Sequence, residues 1–329
     1  MSVKGECAGT DKRILSVPAL FLDCFFNVFA VSFTSVSLAE TLGKGDFVML
    51  PVITSVRDIK QKIKDFRVND LTVGFVPTMG ALHEGHLSLV RQAKKENDKV
   101  VVSIFVNPLQ FGKNEDFNKY PRPLERDCEL LSGVGTDVVF QPEPSEMYPP
   151  GFCTTVVVER LEERLCGKSR PGHFRGVAVV VLKLLHLVSP DIAYFGQKDF
   201  QQTVVVKRMV SDLSVEVAIK VLPTVRDSGG LALSSRNAYL SDTEKIDALC
   251  LYQSLIKAQS MVKDGVLDAK KIAMEMEEII LARSSAHIDY ISIVHPETLE
   301  DVPEARSGNV VAVAVRIGKT RLIDNIILS

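Results

Sequence analysis

Residues able to do chemistry are densest in the string Pro77-Thr78-Met79-Gly80-Ala81-Leu82-His83-Glu84-Gly85-His86. It follows an apolar run, Leu71 to Val76, and precedes a helical pattern with Leu87, Leu89, Val90 and Ala93 on one side. A strand, a glycine-containing turn and a helix start are the parts of a phosphate site. Gly80 and Gly85 let backbone come close, and the helix end offers free N–H groups and a partial positive charge. His83 and His86 fall on one side of the first helical turn. Imidazoles there can hydrogen-bond phosphate oxygens as negative charge develops on them. A metal pair fits less well, because the spacing is not HExxH. The competing structural explanation is an ordinary helix cap with core histidines, and placement directly after a strand weighs against it.

The other common phosphate cradles are missing from the sequence. No GxxxxGK[ST] and no GxGxxG occurs. Gly133-Val134-Gly135 lies between a helix and a strand and reads as a turn. A nucleotide must therefore be held by other means.

The elements that position these residues follow from periodicity. Met49 to Ile53, Leu71 to Val76, Val100 to Val106, Asp137 to Phe140, Ile192 to Phe195 and Val215 to Val221 read as strands. Between them, His86 to Asn97, Leu124 to Leu131, Val177 to Val188 and Gln201 to Asp212 read as helices. This alternation predicts an α/β fold: a mostly parallel, Rossmann-like sheet covered on both faces, with ligands at the C-terminal ends of its strands. After Val225 the pattern changes to helices (Ser241 to Val262, Ala269 to Ala282) followed by strands (Ile288 to Val294, Val310 to Ile317, Arg321 to Leu328). That predicts a smaller α+β domain and a boundary near residue 224. Thr154 to Glu159 alternates and is expected to be an edge strand available for pairing.

Composition narrows the function class. With 24% charged and 46% hydrophobic residues, the 329-residue chain is neither disordered nor fibrous. Lys+Arg of 39 against Asp+Glu of 41 gives no support for broad nucleic-acid binding. Six cysteines at 7, 24, 128, 153, 166 and 250 contain no CxxC pair, which argues for reduced thiols and a cytoplasmic location. The first 48 residues stand apart. From Ile14 to Ala39 the only charge is Asp23, and five phenylalanines lie between Phe21 and Phe33. This segment is expected to be a dispensable extension, a targeting segment or a packed arm. Pro18, Asp23 and Asn27 interrupt it, so a membrane role is disfavoured. The expected organisation is 1–48 extension, 49–224 nucleotide-binding domain and 225–329 lid domain.

The HxGH string after the first long strand resembles the signature of the HIGH-type nucleotidyltransferase superfamily. The longer PTMGALHEGH string is similar to that of one family, the pantothenate synthetases (pantoate–β-alanine ligases). Further matches follow in order: Phe105-Val106-Asn107-Pro108-Leu109-Gln110-Phe111, Tyr120-Pro121-Arg122, Gly172-His173-Phe174-Arg175-Gly176, Gly196-Gln197-Lys198-Asp199-Phe200-Gln201-Gln202 and Leu233-Ser234-Ser235-Arg236-Asn237. The resemblance spans about 50–329.

It implies condensation of pantoate with β-alanine, driven by ATP with Mg²⁺ through a pantoyl adenylate, in a homodimer joined by its N-terminal domain. Met79, Gly80, Ala81, Leu82, His83, Glu84, Gly85 and His86 would line the ATP site, with His86 at the family's proton-donor position. Gly196, Gln197, Lys198 and Asp199 would continue that site. Val225 would contact adenine, and Leu233, Ser234, Ser235 and Arg236 would clamp the outer phosphates. His83, His86 and Lys198 would carry catalysis by stabilising phosphate charge. Gln110 and Gln202 would bind pantoate and β-alanine, and Asp127 would sit near Mg²⁺. Two features depart from the family pattern: Gln197 stands where glutamate is common, and the extension before Met49 has no counterpart.

Two other functions remain to be weighed. Another HxGH nucleotidyltransferase would keep the nucleotide on its product, and two glutamines for small substrates argue against it. A non-catalytic nucleotide-binding protein would have no use for His83, His86, Lys198 and Arg236 together.

Overall fold

A computed structural model describes residues 50–113 and 115–329. The expectations for residues 1–48, for Cys7 and Cys24, and for Met49 as the start of a strand lie outside the described residues. The elements run in this order: β1 (Val52–Ile53), α1 (Val56–Val68), β2 (Val73–Thr78), α2 (Glu84–Glu96), β3 (Lys99–Ile104), α3 (Leu124–Gly133), β4 (Val138–Phe140), α4 (Pro144–Met147), α5 (Leu165–Ser169), α6 (His173–Val188), β5 (Ile192–Gly196), α7 (Phe200–Asp212) and β6 (Ala218–Leu222). Then come α8 (Asp242–Lys263), α9 (Ala269–Leu281), β7 (Ala286–Val294), β8 (Val310–Ile317) and β9 (Thr320–Ile327).

Among the described residues, β1 to β6 form one parallel sheet in the order β1-β4-β3-β2-β5-β6. Its strands feed two separate cores in alternation, as period 2 requires. Val73, Phe75, Val101, Val138 and Phe140 pack with α1, α6 and α7 on one face. Val76, Val100, Val102, Ile104 and Val139 pack with α2 and α3 on the other. Burial on both faces explains why these strands are continuous apolar runs.

The strand order places a switch point between β2 and β5. The chain moves outward from β2 to β3 and β4, then returns to β5 on the other side of β2. Loops leaving the C-terminal ends of β2 and β5 therefore diverge, and a crevice opens between them. The two densest motifs, 77–86 and 196–202, are those loops.

Residues 286–327 form the antiparallel sheet β7-β8-β9, and α8 and α9 pack on it around Leu251, Leu255, Ile272 and Met276. Helix α8 opens with a capping box: Ser241 Oγ accepts from the Glu244 N–H, and Glu244 Oε2 accepts from the Ser241 N–H at 2.8 Å.

The fold class is the expected one, and four local readings change. Helix α1 is amphipathic, burying Ile59, Ile63 and Phe66, and was not read from the sequence. Helix α2 starts at Glu84 because His83 takes extended backbone as its N-cap. The first turn of α6 begins at His173, four residues before Val177. Residues 154–159 form no strand. They run between ordered turns without a ladder partner among the described residues, and alternation alone cannot supply one. No helix among the described residues is long and apolar enough to cross a membrane.

Candidate active site

Helix α2 begins where β2 ends, so its N-terminus faces the crevice. His83 caps the helix and His86 occupies its third position, with ring centroids 4.1 Å apart. Gly85 between them leaves room for the His83 ring. A Cβ there would meet the His83 ring at 2.9 Å from Cε1 and 3.0 Å from Nδ1. The His83 backbone N–H donates to His86 Nδ1 at 3.4 Å, which leaves the neutral His86 proton on Nε2. Both rings are held neutral. Burial, and then the charge of Lys198, lowers the His83 pKa from 6.5 to about 4. Burial, then His83 and Lys198, lowers that of His86 to about 3.

Strand β5 delivers Lys198 to the same cleft. Its Nζ lies 3.8 Å from Asp199 Oδ1, and its carbonyl accepts from Asn325 Nδ2 at 2.9 Å. Asn325 Nδ2 also donates to the Gln197 carbonyl at 2.9 Å, and Gln197 Nε2 reaches Asn325 Oδ1 at 3.3 Å. Gln197 thus joins β9 to the turn that carries Lys198 and does not line the cleft. Next to Asn325, Asp324 is buried and paired with Arg226, Nη2 to Oδ1 at 2.9 Å.

Segment 233–236 closes the third side. Ser234 Oγ accepts from the Arg236 N–H at 3.3 Å, and Ser235 Oγ lies 3.0 Å from Tyr120 Oη. The Arg236 guanidinium grips Asp116 with two bonds of 3.0 and 2.8 Å. A carboxylate therefore stands where a fork of donors could take phosphate.

The loop after β3 carries Gln110 on a 3-10 turn begun by Asn107. Asn107 is buried and donates to Gln110 Oε1 at 3.0 Å and to the Gly176 carbonyl at 3.0 Å. Of the Gln201-Gln202 pair, Gln201 is consumed by structure: it donates to the Leu161 and Arg164 carbonyls and accepts from the Cys166 N–H. Gln202 is left facing the cleft.

One cleft, with an empty volume of about 1370 Å³ including its open mouth, is lined by Met79, His83, Gly85, His86, Gln110, Gly196, Lys198, Asp199, Gln202, Val225, Leu233, Ser234, Ser235 and Arg236. Six named positions sit elsewhere, Asp127 among them. Glu84 pairs with Arg91 on the surface, and Gln197 turns to Asn325. Gly80, Ala81 and Leu82 form the turn beneath, whose Ala81 and Leu82 N–H groups donate to Asp127 at 2.8 and 2.9 Å. Each Asp127 oxygen accepts one of these bonds, so this carboxylate holds the turn beneath the cleft. Among the described residues no group of three or more His, Cys, Asp or Glu side chains could hold a metal. Asn107, Tyr120, Arg170, His173 and Thr224 also line the cleft and were not singled out. The first four lie in or near matched strings, which is the signal that could have found them.

The sequence model of the family described as pantoate-beta-alanine ligase matches residues 51–327. The chain belongs to this family. Among curated members of the ligase family, the pantothenate synthetase of Acetivibrio thermocellus is 52% identical over 277 residues, covering 84% of this chain and 99% of the relative. That of Thermotoga petrophila is 52% identical over 279 residues, covering 85% and 100%. The crystal structure of pantothenate synthetase from Thermus thermophilus superposes with a TM-score of 0.80 at 46% identity, covering 84% of this chain and 99% of the other. A pantoate-beta-alanine ligase from Francisella tularensis, complexed with beta-gamma ATP and beta-alanine, gives 0.71 at 35%, covering 84% and 97%.

Proposed function

We propose that the chain condenses pantoate with β-alanine to pantothenate, using ATP and releasing AMP and pyrophosphate. The observation that carries this reading is a single cleft at the β2/β5 switch point that holds both sets of groups. His83, His86, Lys198 and Arg236 suit a triphosphate, and Gln110 and Gln202 suit two small polar substrates. The pantoate carboxylate attacks the α-phosphorus and pyrophosphate leaves. The β-alanine amine then attacks the acyl carbon, forming the amide and expelling AMP. A carboxylate is a poor electrophile until its oxygen becomes a phosphate leaving group, so the first step must precede the second.

In the free protein His86 is neutral and offers Nε2–H, so its first task is donation to phosphate oxygen, with Lys198 supplying charge. Arg236 exchanges Asp116 for the outer phosphates. Among the described residues no cluster of carboxylates or imidazoles offers a ready metal site, so Mg²⁺ would be carried by the nucleotide and would there neutralise phosphate charge beside Lys198 and Arg236. The reading includes a binding domain at 49–224, a lid at 225–329, a homodimer and a cytoplasmic location.

Product analysis tests the sequence of steps. ATP and pantoate alone release pyrophosphate, and AMP appears only when β-alanine is added. AMP formed without pantoate would overturn the reading. A nucleotide retained on the final product would favour another nucleotidyltransferase.

A further inference from the structure

His173 opens helix α6 beside the loop that carries Gln110, and the proposed chemistry gives it no role. Both of its ring nitrogens are engaged. Nε2 lies 2.9 Å from Arg170 Nη1, and Nδ1 lies 2.8 Å from the Gln110 carbonyl oxygen. A guanidinium only donates, so Nε2 must accept. A carbonyl only accepts, so Nδ1 must carry the proton. The two contacts together admit one form of the ring, the neutral Nδ1–H tautomer.

The surroundings hold that form. Arg170 is gripped by Glu115 through two bonds of 2.6 Å and adds a second donor to the Gln110 carbonyl at 3.3 Å. Burial, with the Arg170 charge next, lowers the His173 pKa to about 4, while the bond to the Gln110 carbonyl, Glu115 and Asp199 pull the other way. Behind the loop, Gly176 of the same helix brings its backbone against Leu109 and Gln110. The Gln110 side chain is left with a free task. Its Oε1 accepts from Asn107, and its Nε2 has the Met79 thioether at 3.1 Å, a weak acceptor.

We propose that His173 is a positioning residue: by donating from Nδ1 to the Gln110 carbonyl it fixes the loop so that the Gln110 amide N–H faces pantoate. This rests on the assignment of Gln110 to substrate binding. The Arg170–Glu115 pair belongs to the same device, because it supplies the donor that makes Nε2 an acceptor.

Three substitutions separate this role from simple packing. Asparagine places an amide nitrogen at the δ position and can keep the bond. Glutamine places it one carbon further out, and alanine removes it. In the full chain, His173→Asn keeps the KM for pantoate within about threefold of the wild type. His173→Gln and His173→Ala raise it about tenfold or more, the effect of losing a buried hydrogen bond. The KM for ATP stays unchanged in all three. An unchanged pantoate KM in His173→Ala, equal losses in His173→Asn and His173→Ala, or a parallel rise in the ATP KM each overturns the proposal. If His173→Ala does not fold, the Asn–Gln comparison decides. Calorimetric titration of wild-type protein with pantoate keeps the two levels apart. Wild-type binding with no Asn–Gln difference sinks only the role of His173, whereas no wild-type binding sinks the reading beneath it as well.

Discussion

His83 and His86 are close, tilted imidazoles that burial keeps uncharged in the free protein. Desolvation outweighs any gain from protonation, and Lys198 beside them adds like-charge repulsion. On the proposed function, a bound triphosphate would reverse that balance and let the rings donate strongly. Removing either donor set removes stabilisation that matters most in the transition state. His86→Ala and Lys198→Ala should each lower pyrophosphate release by on the order of 10²–10³-fold while far-UV dichroism stays native. A wild-type rate in either variant would contradict its role. The same withheld charge links stability to pH. An unfolded histidine binds its proton near pH 6.5, but the folded rings bind theirs only near 4 and 3. Between those values the unfolded chain holds more protons, so stability is complete above pH 6.5 and declines as pH falls. For a folded value near 4 the loss reaches about 2 kcal/mol per ring by pH 5. The melting temperature of the ligand-free protein should therefore drop from pH 7 to pH 5, and a flat profile would show that the rings are not buried neutral.

Helix α6 shows why an element can matter more than its propensity. Gly176 lies inside it, where alanine would gain about 1 kcal/mol of intrinsic helix stability. A Cβ there would sit 2.3 Å from the Leu109 carbonyl oxygen and 2.6 Å from the Gln110 nitrogen, both backbone atoms that cannot step aside. Overpacking of this kind costs about 1–3 kcal/mol, so the clash wins. Gly176→Ala should lower the melting temperature and raise the KM for pantoate by displacing Gln110. A higher melting temperature with an unchanged KM would refute that account. The elements were largely legible because most carry strong periodicity. Strands β2 to β5, helix α2 and the hairpin of β8 and β9 lie within a few residues of their expected places. Helix α1 carries an equally clear signal that was not read, Ile59, Ile63 and Phe66 at i, i+4 and i+7 behind the N-cap Ser55. Residues 154–159 misled in the opposite direction: alternation describes a strand's faces, and pairing needs a partner elsewhere in the fold.

Across the whole molecule, the cleft takes its walls from both sides of residue 224: His83 and Lys198 from one side, Ser234 and Arg236 from the other. Closure of the second part over the first would exclude water from a hydrolysable adenylate. Small-angle scattering should then show a smaller radius of gyration with ATP and pantoate bound, and unchanged dimensions would count against closure.

The sequence by itself determined the chemistry available to this protein, because six strings in register fix which residue types stand near the strand ends. It also determined the strand–helix alternation that turns those ends toward one crevice. Only the tertiary structure decided how each side chain is spent. Asp127 is committed to the turn at Ala81 and Leu82, Gln201 to the backbone of 161–166, and Arg236 to Asp116, while Gln202 is left for ligand. His173 gained its place the same way, through partners three residues and sixty-three residues away. The physical reason is common to all of these cases. A polar group entering a protein interior must find a partner there, and distant segments that meet only in the folded chain decide which partner is within reach.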